Sequence, residues 1–251
     1  MINHDLHMHT EYCGHAEGTT VEALISRADS VSLETIAITD HVYSPEDLDT
    51  VTKIRNEAQQ SEHSCRVIIG AEIDVDGSAY DGRLVTNNFD GIEYVIAGLH
   101  YVPGVGSYAW RPEQCPLTDS QLFERWRSTI LGLVANPGIH TLAHPVRMIA
   151  TSLDFTIWFD RLLPVFEQAA RISAENKILW EINELSLVRL GTDLHAPIIE
   201  VFRTARDVGV KFVCGTDSHF PENVGKFRYA YKVLNEIGIG SLGTKELLAS
   251  L

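Results

Sequence analysis

Apolar positions recur along the chain with two different periods, and the two periods predict strands and helices in turn. Short runs of β-branched and other apolar residues predict strands, because such side chains suit a pleated and half-buried surface. Runs of this kind occur at residues 3–8, 34–39, 65–75, 92–100, 138–144, 178–183 and 211–216. The sequence therefore predicts seven strands.

Amphipathic stretches with helical spacing separate most of these strands. They cover about residues 21–31, 46–60, 118–134, 155–176 and 195–208. A further helix near the end of the chain is broken by Gly238 and Gly240, and Thr19 or Thr20 is placed to cap the first helix. Residues 101–117, which are rich in Gly, Pro and aromatic residues, predict a long and functional loop.

Repeated strand–helix units predict an α/β fold. Seven strands fit an α/β barrel that is one unit short of the (β/α)8 type, and a doubly wound open sheet is the alternative. The length of 251 residues suits one large domain or two small ones, and no linker-like stretch divides the chain. We therefore treat residues 1–251 as a single domain.

Composition and charge narrow the possible partners. The hydrophobic fraction of 45% and the charged fraction of 22% are typical of a soluble globular protein. A formal net charge of −14 argues against nucleic acid or an anionic membrane as a partner, since both recruit clusters of Lys and Arg. The four cysteines have no CxxC spacing, and neither a signal peptide nor an apolar run of roughly 20 residues is visible. We expect a cytoplasmic protein with no membrane contact.

The histidines follow the predicted strands in a regular way. Metal-competent residues stand at the C-terminal ends of six of the seven strands: His7 and His9, His41, Glu72, His100, His144, and Asp217 with His219. In parallel α/β architecture these strand ends meet on one face, where barrel active sites are found. Imidazoles with a few carboxylates suit zinc, iron or manganese. The pattern therefore predicts a metal site assembled from distant parts of the chain.

Six short motifs carry these residues in a familiar order. They are DLHMHT with CGHA (5–16), ITDH (38–41), GAE (70–72), GLH (98–100), AHP (143–145) and GTDSH (215–219). Together they resemble the PHP (polymerase and histidinol phosphatase) superfamily, and the CGHA segment resembles its histidinol phosphatase-like members. The resemblance implies a distorted (β/α)7 TIM-like barrel with a trinuclear metal centre, its motifs lying within residues 5–219.

The resemblance also implies a role for each ligand. The first metal ion would be held by His7, His9, Glu72 and Asp217. The second would share Glu72 and add His100 and His144. The third would be held by His15, His41 and His219, of which strand spacing alone does not single out His15.

The chemistry of such a centre favours phosphate esters. Three divalent ions would attract a phosphate dianion, and phosphate or sulfate should bind at the metals. Coordination lowers the pKa of water to about 7, so we predict attack on phosphorus by a metal-activated hydroxide near Glu72. Glu72 and Asp217 then serve mainly as ligands. Asp40 either orients a metal-bound imidazole or protonates the leaving group.

Substrate contacts are less constrained by the sequence. Arg147 is placed to clamp phosphate with its planar fork, although a surface role fits it as well. Asn183 is placed to reach the cavity or to pack inside the barrel. Tyr108 and Trp110, in the 101–117 loop, are placed to cover the organic part of the substrate or to serve as ordinary packing.

We expect a phosphatase that acts on small phosphomonoesters, with histidinol phosphate as one candidate substrate. The alternatives are a phosphodiesterase or nuclease that uses the same metal site, and a non-catalytic metal-binding regulatory module. A nuclease should carry a groove of basic residues, and only 20 Lys and Arg are spread thinly along the chain.

Overall fold

Parallel strands form the centre of the fold. The computed structural model describes residues 2–109 and 115–241, and within these ranges one eight-stranded sheet is present. Its strands are β1 His4–Asp5, β2 Thr35–Ile38, β3 His41–Val42, β4 Arg66–Asp74, β5 Tyr94–Gly98, β6 Thr141–Leu142, β7 Leu179–Asn183 and β8 Phe212–Gly215. The order along the sheet is β1-β2-β4-β5-β6-β7-β8, and the two-residue β3 pairs with β4.

The last strand returns to the first, so the sheet closes almost completely. The Leu6 amide donates to the Cys214 carbonyl at 3.1 Å, the Asp217 amide to His7 at 2.8 Å, and the His9 amide to Ser218 at 2.8 Å. These bonds continue the parallel pattern past the ends of β1 and β8. The α/β barrel predicted from the sequence is confirmed, and the doubly wound open sheet is wrong. The assignment of all 251 residues to one domain stays a prediction.

Helices surround the sheet. In the described ranges they are α1 Val21–Ser30, α2 Leu48–Gln60, α3 Asp119–Leu133, α4 Arg147–Ser152, α5 Phe155–Asn176, α6 Glu184–Leu190, α7 His195–Asp207 and α8 Tyr229–Ile237. The Thr20 side chain accepts a hydrogen bond from the Ala23 amide, so Thr20 and not Thr19 caps α1. Gly238 ends α8 in the left-handed conformation, as the sequence predicts. None of the described helices is long and apolar enough to cross a bilayer.

The structure departs from the sequence prediction where the chain turns into the site. The strands predicted at 3–8 and 138–144 shrink to β1 and β6, because the following residues leave the sheet to bring His7 and His144 into the centre of the barrel mouth. The backbone of His144 has a φ of 29°, which marks this sharp turn. Helices α4 and α6 and the short β3 were not predicted, since each has fewer residues than a periodic pattern needs.

Two buried clusters show the layers of the fold. The larger fills the space between the sheet and the helices. The smaller contains side chains from most of the strands, among them Ala37, Ile96 and Val213, and it fills the inside of the barrel. On β2, β5 and β8 the residues on either side of these three belong to the larger cluster, as strand alternation requires.

Glycines leave space at the mouth of the barrel. A Cβ on Gly98 would lie 2.7 Å from Glu72 Oε1, and a Cβ on Gly215 would overlap with Glu181 and His7. Because no other residue leaves this volume free, buried side chains can gather above the barrel core.

Candidate metal centre

The nine predicted ligands all lie at the C-terminal mouth of the barrel. Seven of them are buried: His7, His9, His41, Glu72, His100, His144 and Asp217. His219 is half-buried, and His15 is exposed on the loop after β1. The structure brings these distant residues together around one point, as the sequence predicts. Their roles as metal ligands stay predictions.

Glu72, in β4, lies at the middle of the set. Its Oε2 atom lies 3.1 Å from His7 Nε2 and 2.9 Å from His41 Nδ1. Its Oε1 atom lies 2.8 Å from His144 Nε2 and 3.5 Å from His100 Nε2. The two oxygens therefore face different groups of histidines, which is the arrangement expected of a carboxylate shared between two cations.

His7, His9 and Asp217 form a second side of the site. His7 Nε2 lies 3.0 Å from His9 Nε2, so the two rings point to the same place, as strand alternation predicts. Asp217 Oδ1 lies 3.3 Å from His9 Nε2 and 3.8 Å from His7 Nε2. Asp217 reaches this position through a backbone φ of 54° directly after β8.

His15, His41 and His219 form a third group, the one nearest to solvent. The ring centroids of His15 and His41 are 5.0 Å apart, and those of His15 and His219 are 4.8 Å apart. One nitrogen from each ring lies within 4.8 Å of the other two. The Cys13 thiol lies within the same distance of His9 and His219, so it lines this side of the site.

The donor set fits divalent cations. His7 Nδ1 lies 2.9 Å from Glu181, and His100 Nδ1 lies 2.8 Å from Asp74. When these Nδ1 atoms carry the ring protons, the Nε2 atom of each ring has a lone pair that faces Glu72. The lone pair and the carboxylate oxygen are both acceptors, so they repel each other unless a cation lies between them. Asp217 Oδ1 is also buried and accepts no hydrogen bond from the described residues. Histidine nitrogens with shared carboxylates are typical ligands of zinc, iron or manganese.

The pKa shifts of His7 and Glu72 also show that the site favours a positive charge. Burial alone would lower the pKa of His7, but Glu181, Glu72 and Asp217 outweigh it and raise that pKa well above the ordinary value. Burial alone would raise the pKa of Glu72. The nearby imidazoles of His7, His100 and His41 outweigh this effect of burial and hold that pKa well below its usual range. A proton on His7 is one way to supply the charge, and a metal cation is another.

Glu181 and Asp74 contact predicted ligands, and the sequence prediction missed both. Besides holding His7, Glu181 accepts a hydrogen bond from the His144 amide at 2.8 Å. A carboxylate behind an imidazole fixes its tautomer and ring orientation, as at known metal sites. The sequence carried only a weak signal for them: Asp74 stands two residues after Glu72 on the same strand, and Glu181 stands in the sixth predicted strand.

Asp40 lies behind the centre. Its carboxylate accepts hydrogen bonds from the amide and the hydroxyl of Thr10, and it lies 4.0 Å from His9 Nδ1. Burial raises the pKa of Asp40 to about 6. Asp40 therefore lies beside the His9 ring without a hydrogen bond to it, and both roles given by the sequence stay predictions.

A cavity of about 620 Å³ opens over the three groups. Arg147 and Tyr108 line it, and Arg147 Nη1 also contacts Asp217 Oδ2 at 3.0 Å. Arg189, at the end of α6, lines it as well and was not picked from the sequence. Asn183 is buried outside this lining: it donates to Glu181 at 3.0 Å and to Asp217 at 3.4 Å, and it caps α6. Trp110 lies outside the described residues.

The chain is similar to proteins that are named as phosphatases. Over 236 residues the chain is 25% identical to a "probable phosphatase" of Acetivibrio thermocellus, covering 93% of this chain and 86% of the relative. It is 25% identical over 255 residues to a "probable histidinol-phosphatase" of Deinococcus radiodurans, covering 93% of each chain.

A solved structure shares the fold. The histidinol phosphate phosphatase of Lactococcus lactis subsp. lactis, crystallised with zinc, L-histidinol and phosphate, superposes with a TM-score of 0.66. It is 17% identical to this chain, and the match covers 96% of this chain and 95% of that one. The family model of the PHP domain matches residues 5–185. The chain belongs to the PHP domain family.

Proposed function

We propose that this hydrolase is a metal-dependent phosphatase that cleaves small phosphomonoesters at a trinuclear centre. The observation that carries the proposal is the position of Glu72, whose two oxygens face two different groups of imidazoles. A carboxylate placed in this way is suited to binding two cations, one at each oxygen. The histidine group around His15 supplies a place for a third.

Under this proposal His7, His9, Glu72 and Asp217 hold one ion, Glu72 with His100 and His144 holds the second, and His15 with His41 and His219 holds the third. When bound, divalent ions lower the pKa of coordinated water and neutralise phosphoryl oxygens. Zinc, manganese and iron all suit these ligands, and supply in the cell decides between them.

The residues of the chain position the ester. Arg147 and Arg189 line the same cavity, and their guanidinium groups suit bidentate binding of phosphoryl oxygens. Arg147 also contacts Asp217, so it connects the bound phosphate to the ligand set. Glu181 and Asp74 hold the imidazoles of His7 and His100 in place. Asn183 supports Glu181 and Asp217. Tyr108 covers the entrance.

The names of relatives point to a candidate for the physiological substrate. Histidinol phosphate is one candidate, because relatives are named for that activity.

All four cysteines are free, which supports the proposal of a reducing, cytoplasmic location.

A matched pair of chromogenic esters tests the proposal. With manganese or zinc supplied, we expect p-nitrophenyl phosphate to be cleaved at least tenfold faster than bis-p-nitrophenyl phosphate, about 1.4 kcal/mol in activation free energy. The substitution His9→Ala should abolish turnover while the far-UV circular dichroism stays that of the wild type. Preference for the diester would favour the phosphodiesterase alternative. Fewer than two bound metal ions with no turnover of either ester would favour a non-catalytic module.

A further inference from the structure

A second cavity, of about 490 Å³, adjoins the one over the candidate centre. Both cavities are lined by Arg189, Asp217, His219 and Phe220, so the second begins where the first ends. A space of suitable size for the organic part of a small ester therefore lies next to the candidate centre.

The second cavity is rich in positive charge. Lys226 and Arg228, on the segment before α8, line it together with Arg189. Among the described residues, none of these three cations forms an ion pair, although Arg228 lies over the Tyr229 ring at 5.1 Å. Three cations are concentrated here in a chain whose net charge is −14. Such a cavity attracts anions from solution.

The acidic groups of this cavity are already engaged. Glu184, which is 7% exposed, accepts hydrogen bonds from the amides of Tyr229 and Ala230 at 2.8–3.0 Å. Asp217 faces His9 and Arg147 at the centre. The hydrogen bonds and ion pairs of both carboxylates are therefore made to groups other than these three cations, although Asp217 also attracts Arg189 through space.

We propose that the second cavity binds the organic part of the substrate and that this part carries a second acidic group, a carboxylate or a second phosphate. The inference rests on the proposed phosphatase function and names its substrate class. Lys226 and Arg228 bind the acidic group, and the apolar side chains of Leu185 and Phe227 contact the carbon skeleton. An ammonium-bearing leaving group such as that of histidinol phosphate meets like charge in this cavity.

Esters that differ in one group test this inference. In the first pair, 3-phosphoglycerate has a carboxylate where glycerol 3-phosphate has a neutral hydroxymethyl group. In the second pair, fructose 1,6-bisphosphate has one phosphate more than fructose 6-phosphate. For at least one pair we expect kcat/KM to be roughly tenfold higher for the more acidic ester, mostly through KM. The pair with the larger ratio identifies the acidic group. The preference should shrink as potassium chloride rises to 0.5 M or so, because salt screens exposed charges.

Variants assign the preference to this cavity. In the double variant Lys226→Gln, Arg228→Gln we expect the ratio of kcat/KM within the preferred pair to fall toward one. The control Lys232→Gln, an exposed lysine of α8 that does not line the cavity, should keep the wild-type ratio. Equal rates within both pairs, or faster turnover of histidinol phosphate than of every acidic ester, would overturn the inference. Absence of p-nitrophenyl phosphate hydrolysis would instead contradict the proposed function.

Discussion

At the scale of single residues, the two nitrogens of one imidazole have different tasks. His7 presents Nε2 to Glu72 and Nδ1 to Glu181, and His100 is held in the same way by Asp74. The buried carboxylate behind each ring fixes which nitrogen is free to bind a cation.

Replacing Glu181 by Gln tests this positioning role. The amide keeps the shape but removes the charge behind His7, so we expect metal affinity to fall about 10- to 100-fold. Activity should return largely at saturating metal, because the ligands themselves remain. The control Glu167→Gln, on the exposed face of α5, should leave affinity unchanged. Wild-type metal affinity in Glu181→Gln, measured by titration with a competing chelator, would contradict the role.

His4 provides a pH prediction away from the ligands. Burial lowers the pKa of His4 to about 4, against 6.5 in the unfolded chain, and its Nε2 accepts the Cys214 amide at 3.2 Å. Between these two values only the unfolded chain binds the proton, so stability is lost as pH falls from about 6.5 to about 4. The loss amounts to about 3 kcal/mol at most.

The variant His4→Gln isolates this contribution. Its free energy of unfolding, measured by urea at pH 7 and pH 4.5, should fall less on acidification than that of the wild type. His63→Gln, at an exposed position, should follow the wild type. If acidification lowers the free energy of unfolding of His4→Gln as much as that of the wild type, a neutral, buried His4 is not the cause of the loss.

The ligands were predictable and their supporting carboxylates were not, for a physical reason. Histidines such as His100 and His144 are rare in strands and stand at strand ends, so position alone makes them conspicuous. Glu181 and Asp74 resemble ordinary acidic residues until the closed barrel shows which ring each of them contacts. Arg189 was missed because its helix was not predicted.

At the scale of elements, the predicted alternation of strands and helices is present, but its boundaries shift near the site. The predicted strand at 138–144 becomes β6, Thr141–Leu142, because His144 must turn out of the sheet. Helix α6 follows β7 without a loop, since the Asn183 side chain caps it directly. Periodicity predicts long elements well and cannot predict where tertiary contacts shorten them.

Helix α8 gives a prediction at this scale. Glu184 accepts the amides of Tyr229 and Ala230 in the first turn of α8, where helix amides lack partners. Replacing Glu184 by Ala leaves these amides unsatisfied in a mostly buried site, so we expect a loss of about 1–3 kcal/mol in unfolding free energy. The control Glu200→Ala, half-exposed on α7, should stay within about 0.5 kcal/mol of the wild type. Equal stability of the two variants would refute the capping role.

At the scale of the whole molecule, the candidate metal centre joins the two ends of the barrel. The predicted ligands come from the segment after the first strand, through His7 and His9, and from the segment after the last strand, through Asp217 and His219. Under the proposed function, bound cations would therefore stabilise the closure in addition to any role in turnover. Their removal would leave the buried carboxylates of Glu72 and Asp217 without these positive partners.

Metal removal should consequently destabilise the fold. Treatment with a chelator followed by gel filtration should lower Tm by about 5–10 °C relative to protein with metal at 100-fold its Kd. Adding manganese or zinc back should restore it, whereas calcium, which prefers oxygen ligands, should restore it poorly. An unchanged Tm after verified metal removal would show that the barrel closes without the ions.

The central claim is that three cations are held by Glu72 and the eight other residues of the proposed ligand set. Crystals grown with manganese and phosphate, measured at the manganese absorption edge, test it most directly. The account predicts three anomalous peaks, with the first two on either side of the Glu72 carboxylate, the third among His15, His41 and His219, and phosphate between the peaks and Arg147. No peak at Glu72, in crystals of protein that hydrolyses phosphomonoesters, would contradict it.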